Sequence, residues 1–176
     1  PFTLSELQTA ERELFELTQR VAALRKASEP TPVKNYVFKH STGSTSLLEL
    51  FGNKDTLFLI HNMGQACRYC TLWADGLTGF VAHIESEFAL ALVSKDDPET
   101  QRRLANARNW RFNMVSHGGG EYAREQTVLT GAEDMPGVVC YIRDEDKLFR
   151  KNAAVFGPGD EFCTQSACHR RSVRGR

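Results

Sequence analysis

Two uninterrupted apolar runs of strand length, Thr56 to Ile60 and Phe88 to Val93, restrict the fold of this chain more than any other feature. A strand that is apolar at every position has no face to offer water. It belongs in a sheet covered on both sides, and such sheets are mostly parallel. Parallel neighbours need a crossover, and the residues between the runs, about Arg68 to Ile84, are compatible with a helix. Gly76 and Gly79 each weaken that helix by roughly 1 kcal/mol, so a break near Gly79 is expected.

Further along, Asp97-Pro98-Glu99 opens another helix, with Asp97 as cap and Pro98 at the first helical position, running to about Arg108. Phe112 to Val115 reads as a short strand and "SHGGGEY" as a loop. Gly137 to Ile142 and Lys147 to Arg150 flank Asp144-Glu145-Asp146 as a β-hairpin. Upstream, Val33 to Phe38 is strand-like, "STGST" is a turn, and Ser46 caps a short helix through Leu50. Strands separated by helices and closed by a hairpin make a mixed α/β domain over residues 33–156.

Residues 1–30 read as an extra N-terminal helix. Thr3-Leu4-Ser5-Glu6 is a capping box, Leu4, Leu7, Leu14, Leu17, Val21 and Leu24 share one face, and Pro30 and Pro32 end the pattern. The plain expectation is a helix covering one side of the domain; a homodimer through the Leu14–Leu24 stripe is the alternative. Residues 157–176, which include "DEFCTQSACHRRSVRGR", form a basic tail with little hydrophobic pattern.

Hydrophobic residues make up 41% of the 176, enough for a buried core, and 22 Lys+Arg balance 22 Asp+Glu. No overall field draws the chain to nucleic acid or to an anionic membrane. No apolar run reaches the length of a membrane span, and the first residues lack a secretory-signal layout. The 5 cysteines, odd in number and irregular in spacing, are no disulfide framework and fit a reducing cytoplasm.

Two of those cysteines, in Cys67-Arg68-Tyr69-Cys70, sit where the first apolar strand gives way to the helix. The first turn of a helix presents unpaired N–H groups and the positive end of its dipole, which favour an anion such as a thiolate. Arg68 adds a cation beside it. Residues three apart in a first turn lie about 5–6 Å from each other, close enough for a disulfide. Cys67 is therefore expected to be the exposed attacking thiol and Cys70 the more buried resolving partner. A C-x-x-C beside a βαβ pattern reads as a thioredoxin-like redox motif.

The segments "LLELFGNKDTLFLIHNM", "CRYCTLWADGLTG", "NWRFNMVS" and "MPGVVCYIRDEDKLF" resemble an uncharacterised bacterial family of thioredoxin-like proteins. That family is related to the alkyl-hydroperoxide-reductase and thiol-specific-antioxidant (peroxiredoxin-like) group. The likeness covers most of Val33 to Phe149, and the cysteine segment with Trp73-Ala74-Asp75 is its most specific part. It implies a thioredoxin-like fold: a central mixed sheet flanked by helices. It also implies that Pro136, in Met135-Pro136-Gly137, is a cis-proline bordering the substrate groove, with Arg68, Tyr69 and Trp73 lining that groove or tuning the thiol. The sequence departs from the relatives at informative places. Ala66 precedes the pair, Arg68-Tyr69 fills it, and Gly64 stands where peroxiredoxins carry Thr or Ser. A standard peroxidatic site is not expected, while a C-x-x-C-type peroxidase stays open.

Cys67 and Cys70 are thus expected to act on a disulfide or a peroxide. No nucleotide-binding glycine motif appears, so no cofactor is expected and a separate thiol reductant or oxidant resets the pair. The competing reading is a non-catalytic module that binds a protein partner or a metal. Zinc would add Cys163, Cys168 or His169 to the pair, and copper a histidine such as His117. "SHGGG" lacks the Gly-x-Ser-x-Gly elbow that an esterase needs. His61 and His83 read as hydrogen-bonded structural histidines, Trp73 and Phe80 as core, and Cys140 as an inert strand residue. Asp75 is either solvent-exposed or a proton acceptor for Cys70.

Overall fold

A computed structural model describes residues 3–156 of the chain. Helix α1 (Leu4–Ala27) comes first, then strands β1 (Thr31–Val33), β2 (Val37–His40), β3 (Gly43–Ser46) and β4 (Thr56–His61). Helices α2 (Arg68–Leu77) and α3 (Val81–Glu87) lead to β5 (Ala89–Ser94), and α4 (Pro98–Arg108) leads to β6 (Asn113–Ser116). A short α5 (Glu121–Glu125) precedes the hairpin of β7 (Gly137–Asp144) and β8 (Lys147–Val155).

The eight strands among the described residues join one sheet in the order β1-β8-β7-β4-β5-β6-β2-β3. The two apolar runs are its centre: β4 and β5 pair in parallel, β5 and β6 likewise, and β7 pairs antiparallel on the other side of β4. Side chains alternate between faces. Leu57, Leu59, Ala91 and Val93 enter one core with Phe38, Phe51, Val139 and Tyr141. Ile60, Leu90 and Leu92 enter the other, under Ala74 and Val81 of the helices and beside Trp110 and Phe112. Both faces of β4 and β5 are therefore packed against apolar side chains, as their composition requires, with Phe58 left half-buried on the helix side.

Val33 to Phe38 is not one strand. It divides into β1 and β2, which lie near opposite ends of the strand order. Only residues 34–36 separate them, and four Cα steps span at most about 14 Å. The sheet must curl until its ends approach each other. Tyr36, from the connection, is buried in the core inside that curl with Phe38 and Leu148. The "STGST" stretch is correspondingly more than a turn, since its second half is β3, paired antiparallel with β2. The short helix expected after Ser46 is a single 3-10 turn, Glu49–Phe51, whose N-cap is Leu48 rather than Ser46; the Ser46 Oγ accepts the Glu49 N–H at 3.2 Å from two residues further back.

The expected helix over Arg68–Ile84 breaks where the glycines predicted. A 3-10 turn at Thr78–Phe80 separates α2 from α3. Phe80 at that corner is 54% exposed rather than in the core, because the break turns it outward. The Asp97 cap is formed, with Oδ1 accepting the N–H groups of Glu99 and Thr100 at 3.0 Å each. Helix α5 begins within the last two residues of the stretch read as loop and runs beyond it, a short helix that buries Tyr122.

Helix α1 does not cover a side of the domain. None of its residues is buried, and Leu4, Leu7, Leu14, Phe15, Leu17 and Leu24 are all exposed. Its capping box is formed, and it is anchored at its far end, where Asn152 Nδ2 donates to the Arg25 carbonyl at 3.3 Å and Ser28 Oγ donates to the Lys151 carbonyl at 2.9 Å. No helix is long and apolar enough to cross a membrane among the described residues.

Candidate active site

Three parallel strands end on the same edge of the sheet, so the residues that follow β4, β5 and β6 are brought together there. This edge is where open α/β sheets place their sites. The loop after β4 carries Asn62 to Cys67, the loop after β5 carries Lys95 and Asp96, and the loop after β6 carries His117.

Asn62 organises the first of these loops. It is buried, with its side-chain oxygen accepting the Gly64 N–H at 2.8 Å and its amide donating to the Cys70 carbonyl at 3.3 Å. Gly64 adopts φ +97°, and a Cβ built on it would stand 2.6 Å from the Asp96 carboxylate. Only glycine fits both demands. Asp96 also accepts the Gln65 N–H at 2.7 Å, and the Cys67 N–H returns to the Gly64 carbonyl at 3.0 Å. The thiol loop is thus held on both sides before α2 begins.

Cys67 is the N-cap of α2. Its Sγ accepts the Cys70 N–H at 3.2 Å, the position a capping oxygen ordinarily takes, and the residue is half-buried. Cys70 lies one turn in, 2% exposed, and its Sγ accepts the Met63 N–H at 3.3 Å. Burial pushes the Cys70 thiol up to about 12, and its hydrogen bond to the Cys67 sulfur pushes in the same direction, against the Met63 N–H. Neither cysteine is bridged. The pair is a half-buried Cys67 at the N-terminus of α2 beside a buried Cys70 whose thiol burial holds protonated.

The other expected site residues divide. Arg68 and Tyr69 are exposed on the first turn of α2, Tyr69 at 44%, so both border the thiol. Trp73 is half-buried one turn further and stacks on Phe156, with ring centroids 4.9 Å apart. Pro136 is buried and follows Met135 through a trans bond, for no peptide bond is cis among the described residues. The expected cis-proline is therefore corrected: the turn before β7 is made instead by Asp134 at φ +60°. Gly137 pairs with His61, which sets Pro136 across from the start of the thiol loop. Asp75 is no proton acceptor for Cys70. It takes hydrogen bonds from Arg108 at 2.6 Å and Trp110 at 2.8 Å, which tie α2 to the end of α4.

Behind the loop, His61 is a structural histidine, with Nε2 2.6 Å from the Tyr122 hydroxyl. Burial lowers its pKa to about 3, and it stays neutral. Tyr122 continues to Tyr141 and Gln126, a buried polar chain. His61, Asn62, His117, Asp134 and Met135 line a cavity of about 20 Å³, room for a single water. His83 is exposed on α3, and Cys140 is half-buried in β7. No group of three or more His, Cys, Asp or Glu is placed to hold a metal ion among the described residues. Cys163, Cys168 and His169 lie outside them.

Asn62, Lys95, Asp96 and Asp134 did not stand out in the sequence. Lys95 binds Asp134 at 2.9 Å, and Cys67 and Asp96 also lie within electrostatic reach of its ammonium. The available signal was topological: once β4 and β5 are parallel neighbours, the residues just after β5 must face the residues just after β4.

Solved structures of the same architecture are numerous but distant. Peroxidoxin BcpB of Mycobacterium tuberculosis superposes with a TM-score of 0.57 at 16% identity, covering 84% of this chain and 99% of that one. The reduced Prx3 of Vibrio vulnificus gives 0.54 at 16%, covering 80% and 97%. A candidate thiol:disulfide interchange protein DsbE of Chlorobium tepidum gives 0.54 at 14%, covering 80% and 95%. These likenesses establish a thioredoxin-like fold. No curated protein matches the sequence. The family model that matches, over residues 3–165, is described as a bacterial protein of unknown function (DUF899).

Proposed function

We propose, for a chain that belongs to the DUF899 family of bacterial proteins of unknown function, thiol–disulfide exchange at Cys67 and Cys70. The observation that carries this reading is the hydrogen-bonded pair at the start of α2, one cysteine half-buried at the cap, the other buried and protonated. In the first step the Cys67 thiolate attacks one sulfur of a substrate disulfide, forming a mixed disulfide and releasing the first substrate thiolate, which takes a proton. Burial continues to hold the Cys70 thiol up, but a Cys67 sulfur tied in a disulfide carries no charge to oppose its ionisation. Cys70 ionises more readily once Cys67 is occupied. It attacks the Cys67 sulfur, expels the second substrate thiolate, and leaves a Cys67–Cys70 disulfide. Two electrons have passed from the dithiol to the substrate, and a separate thiol reductant returns them.

A peroxide would follow the same course, giving an alcohol and a sulfenic acid at Cys67, then water as Cys70 closes the disulfide. Gly64, pressed against Asp96, supplies no hydroxyl to polarise an O–O bond, so a disulfide is the preferred substrate. In this reading Arg68 and Tyr69, exposed beside Cys67, and the buried Pro136 border the bound substrate, a role supported by their exposure and by the pairing of Gly137 with His61. The working unit is the domain that follows α1, from β1 at Thr31 to Phe156, two residues longer at its start than the 33–156 expected from the sequence.

The test is to equilibrate the protein with graded glutathione or dithiothreitol buffers, trap its thiols and map them by mass spectrometry. A reversible Cys67–Cys70 disulfide with a defined potential is expected. If none forms at any ratio, the dithiol reading fails, and elemental analysis of protein purified without chelator decides whether the pair holds a metal.

A further inference from the structure

We propose that two copies of this chain pair antiparallel through α1, forming a two-helix coiled coil with a two-fold axis between residues 15 and 16. This pairing is independent of the chemistry at the thiols. Most helices in proteins are stabilised by packing an apolar face, and one standing alone in water is marginal. Helix α1 runs for 24 residues with nothing buried, while Leu7, Leu14, Leu17 and Leu24 are 52%, 45%, 55% and 61% exposed.

Those leucines fall on a coiled-coil seam. Leu7, Leu14 and Val21 recur every seven residues, and Ala10, Leu17 and Leu24 do so three positions later, the a and d sites of consecutive heptads. The seam is about 26 Å long. A protein partner of any kind could use it, but the residues on its borders single out a second copy. In an antiparallel pair each a site meets a d site of the other helix. Placing residue i opposite residue 31 − i sets Leu7 against Leu24, Ala10 against Val21 and Leu14 against Leu17, and by symmetry the same layers recur in the other half. The smallest seam residue thereby meets a β-branched one, and every other layer is leucine on leucine.

Charge makes the direction specific. The e and g sites, which flank the seam, carry Glu6, Glu11 and Glu13 in the first half and Arg20 and Arg25 in the second. Antiparallel pairing joins g sites to g sites and e sites to e sites. It brings Glu13 beside Arg20 of the other copy, twice, and sets Glu11 near Thr18 and Glu6 near Ala27, with no like charges in contact. Parallel pairing would instead bring Glu6 to Glu11 and Arg20 to Arg25, like charge to like charge. A helix whose two halves carry opposite charge on the seam's borders is complementary to its own reverse.

Sedimentation velocity on the full chain, from low micromolar to about 100 μM, reads the state directly. The expected result is a species of twice 19.8 kDa whose population rises with concentration. Leu14→Asp with Leu17→Asp removes both central layers and is expected to leave monomer throughout. An unchanged thermal midpoint for the domain shows that folding is intact. Arg20→Glu tests direction. In the antiparallel pair it sets a second carboxylate against Glu13, twice, and weakens association about tenfold, or 1.4 kcal/mol. Adding Glu13→Arg to it restores the affinity. A monomer at every concentration overturns the proposal, as does a dimer that survives the double leucine variant. Tighter association of Arg20→Glu also overturns it, for that is the parallel arrangement, where the introduced carboxylate would face Arg25.

Discussion

Cys67 and Cys70 are the same residue type three positions apart, and burial, more than any other difference, makes them unequal. The half-buried residue caps the helix, and the buried one is held protonated by desolvation and by donation to its neighbour. Limiting iodoacetamide on the reduced protein is expected to modify Cys67 first. Modification of Cys70 should rise about tenfold per pH unit above neutrality, because its thiolate fraction grows that way below a pKa of about 12. In exchange assays Cys70→Ser is expected to trap substrate on Cys67, and Cys67→Ser to fall to background. Peptide mapping checks both, and trapping on Cys70 instead would reverse the roles. Gly64 carries the second prediction at this scale. Gly64→Ala is expected to cost about 1–3 kcal/mol in denaturant unfolding, from its positive φ and from the Asp96 carboxylate. Asp96→Ala in the same background should recover only the steric share. The thiols were readable in the sequence because their spacing and their place after a strand carry meaning on their own. Asp96 was not, since in Lys95-Asp96-Asp97-Pro98 the capping role of Asp97 accounts for the run and its neighbour looks incidental.

Elements here differ in how much of their form is local. The end of α2, the start of α4 and the hairpin followed from glycine, Asp-Pro and an acidic turn, because each is decided by backbone chemistry within a few residues. The separation of β1 from β2 did not, because nothing in Lys34-Asn35-Tyr36 announces that the sheet will curl and take the two sides to different edges. Pairing across the sheet also creates the link between β4 and α5, where His61 meets Tyr122. Burial keeps that imidazole neutral, with its pKa lowered to about 3 from the ordinary 6.5. The unfolded chain binds a proton there between those values and the folded chain does not, so stability falls as pH drops below about 6.5. The slope from this one group approaches 1.4 kcal/mol per pH unit. Urea unfolding at pH 7 and pH 5 is expected to show the loss, and His61→Gln to flatten it. An equal pH dependence in that variant would assign the effect elsewhere.

At the scale of the whole molecule, the mixed α/β class could be read from the order of apolar runs, since a strand apolar at every position belongs in a covered sheet, while the thioredoxin-like fold was implied by the resemblance that the cysteine segment and its flanks carry. The placement of α1 could not. Its sequence is amphipathic whether its partner is this domain or another chain, and only the folded domain, which leaves the apolar face uncovered, separates the two. The surroundings of α2 have a practical side. The chain has 2 tryptophans, and both are attached to the helix that bears the thiols: Trp73 belongs to α2 and stacks on Phe156, while Trp110 donates to Asp75 on the same helix. The protein's own ultraviolet emission therefore reports on α2 from two sides, an optical gauge that needs no label.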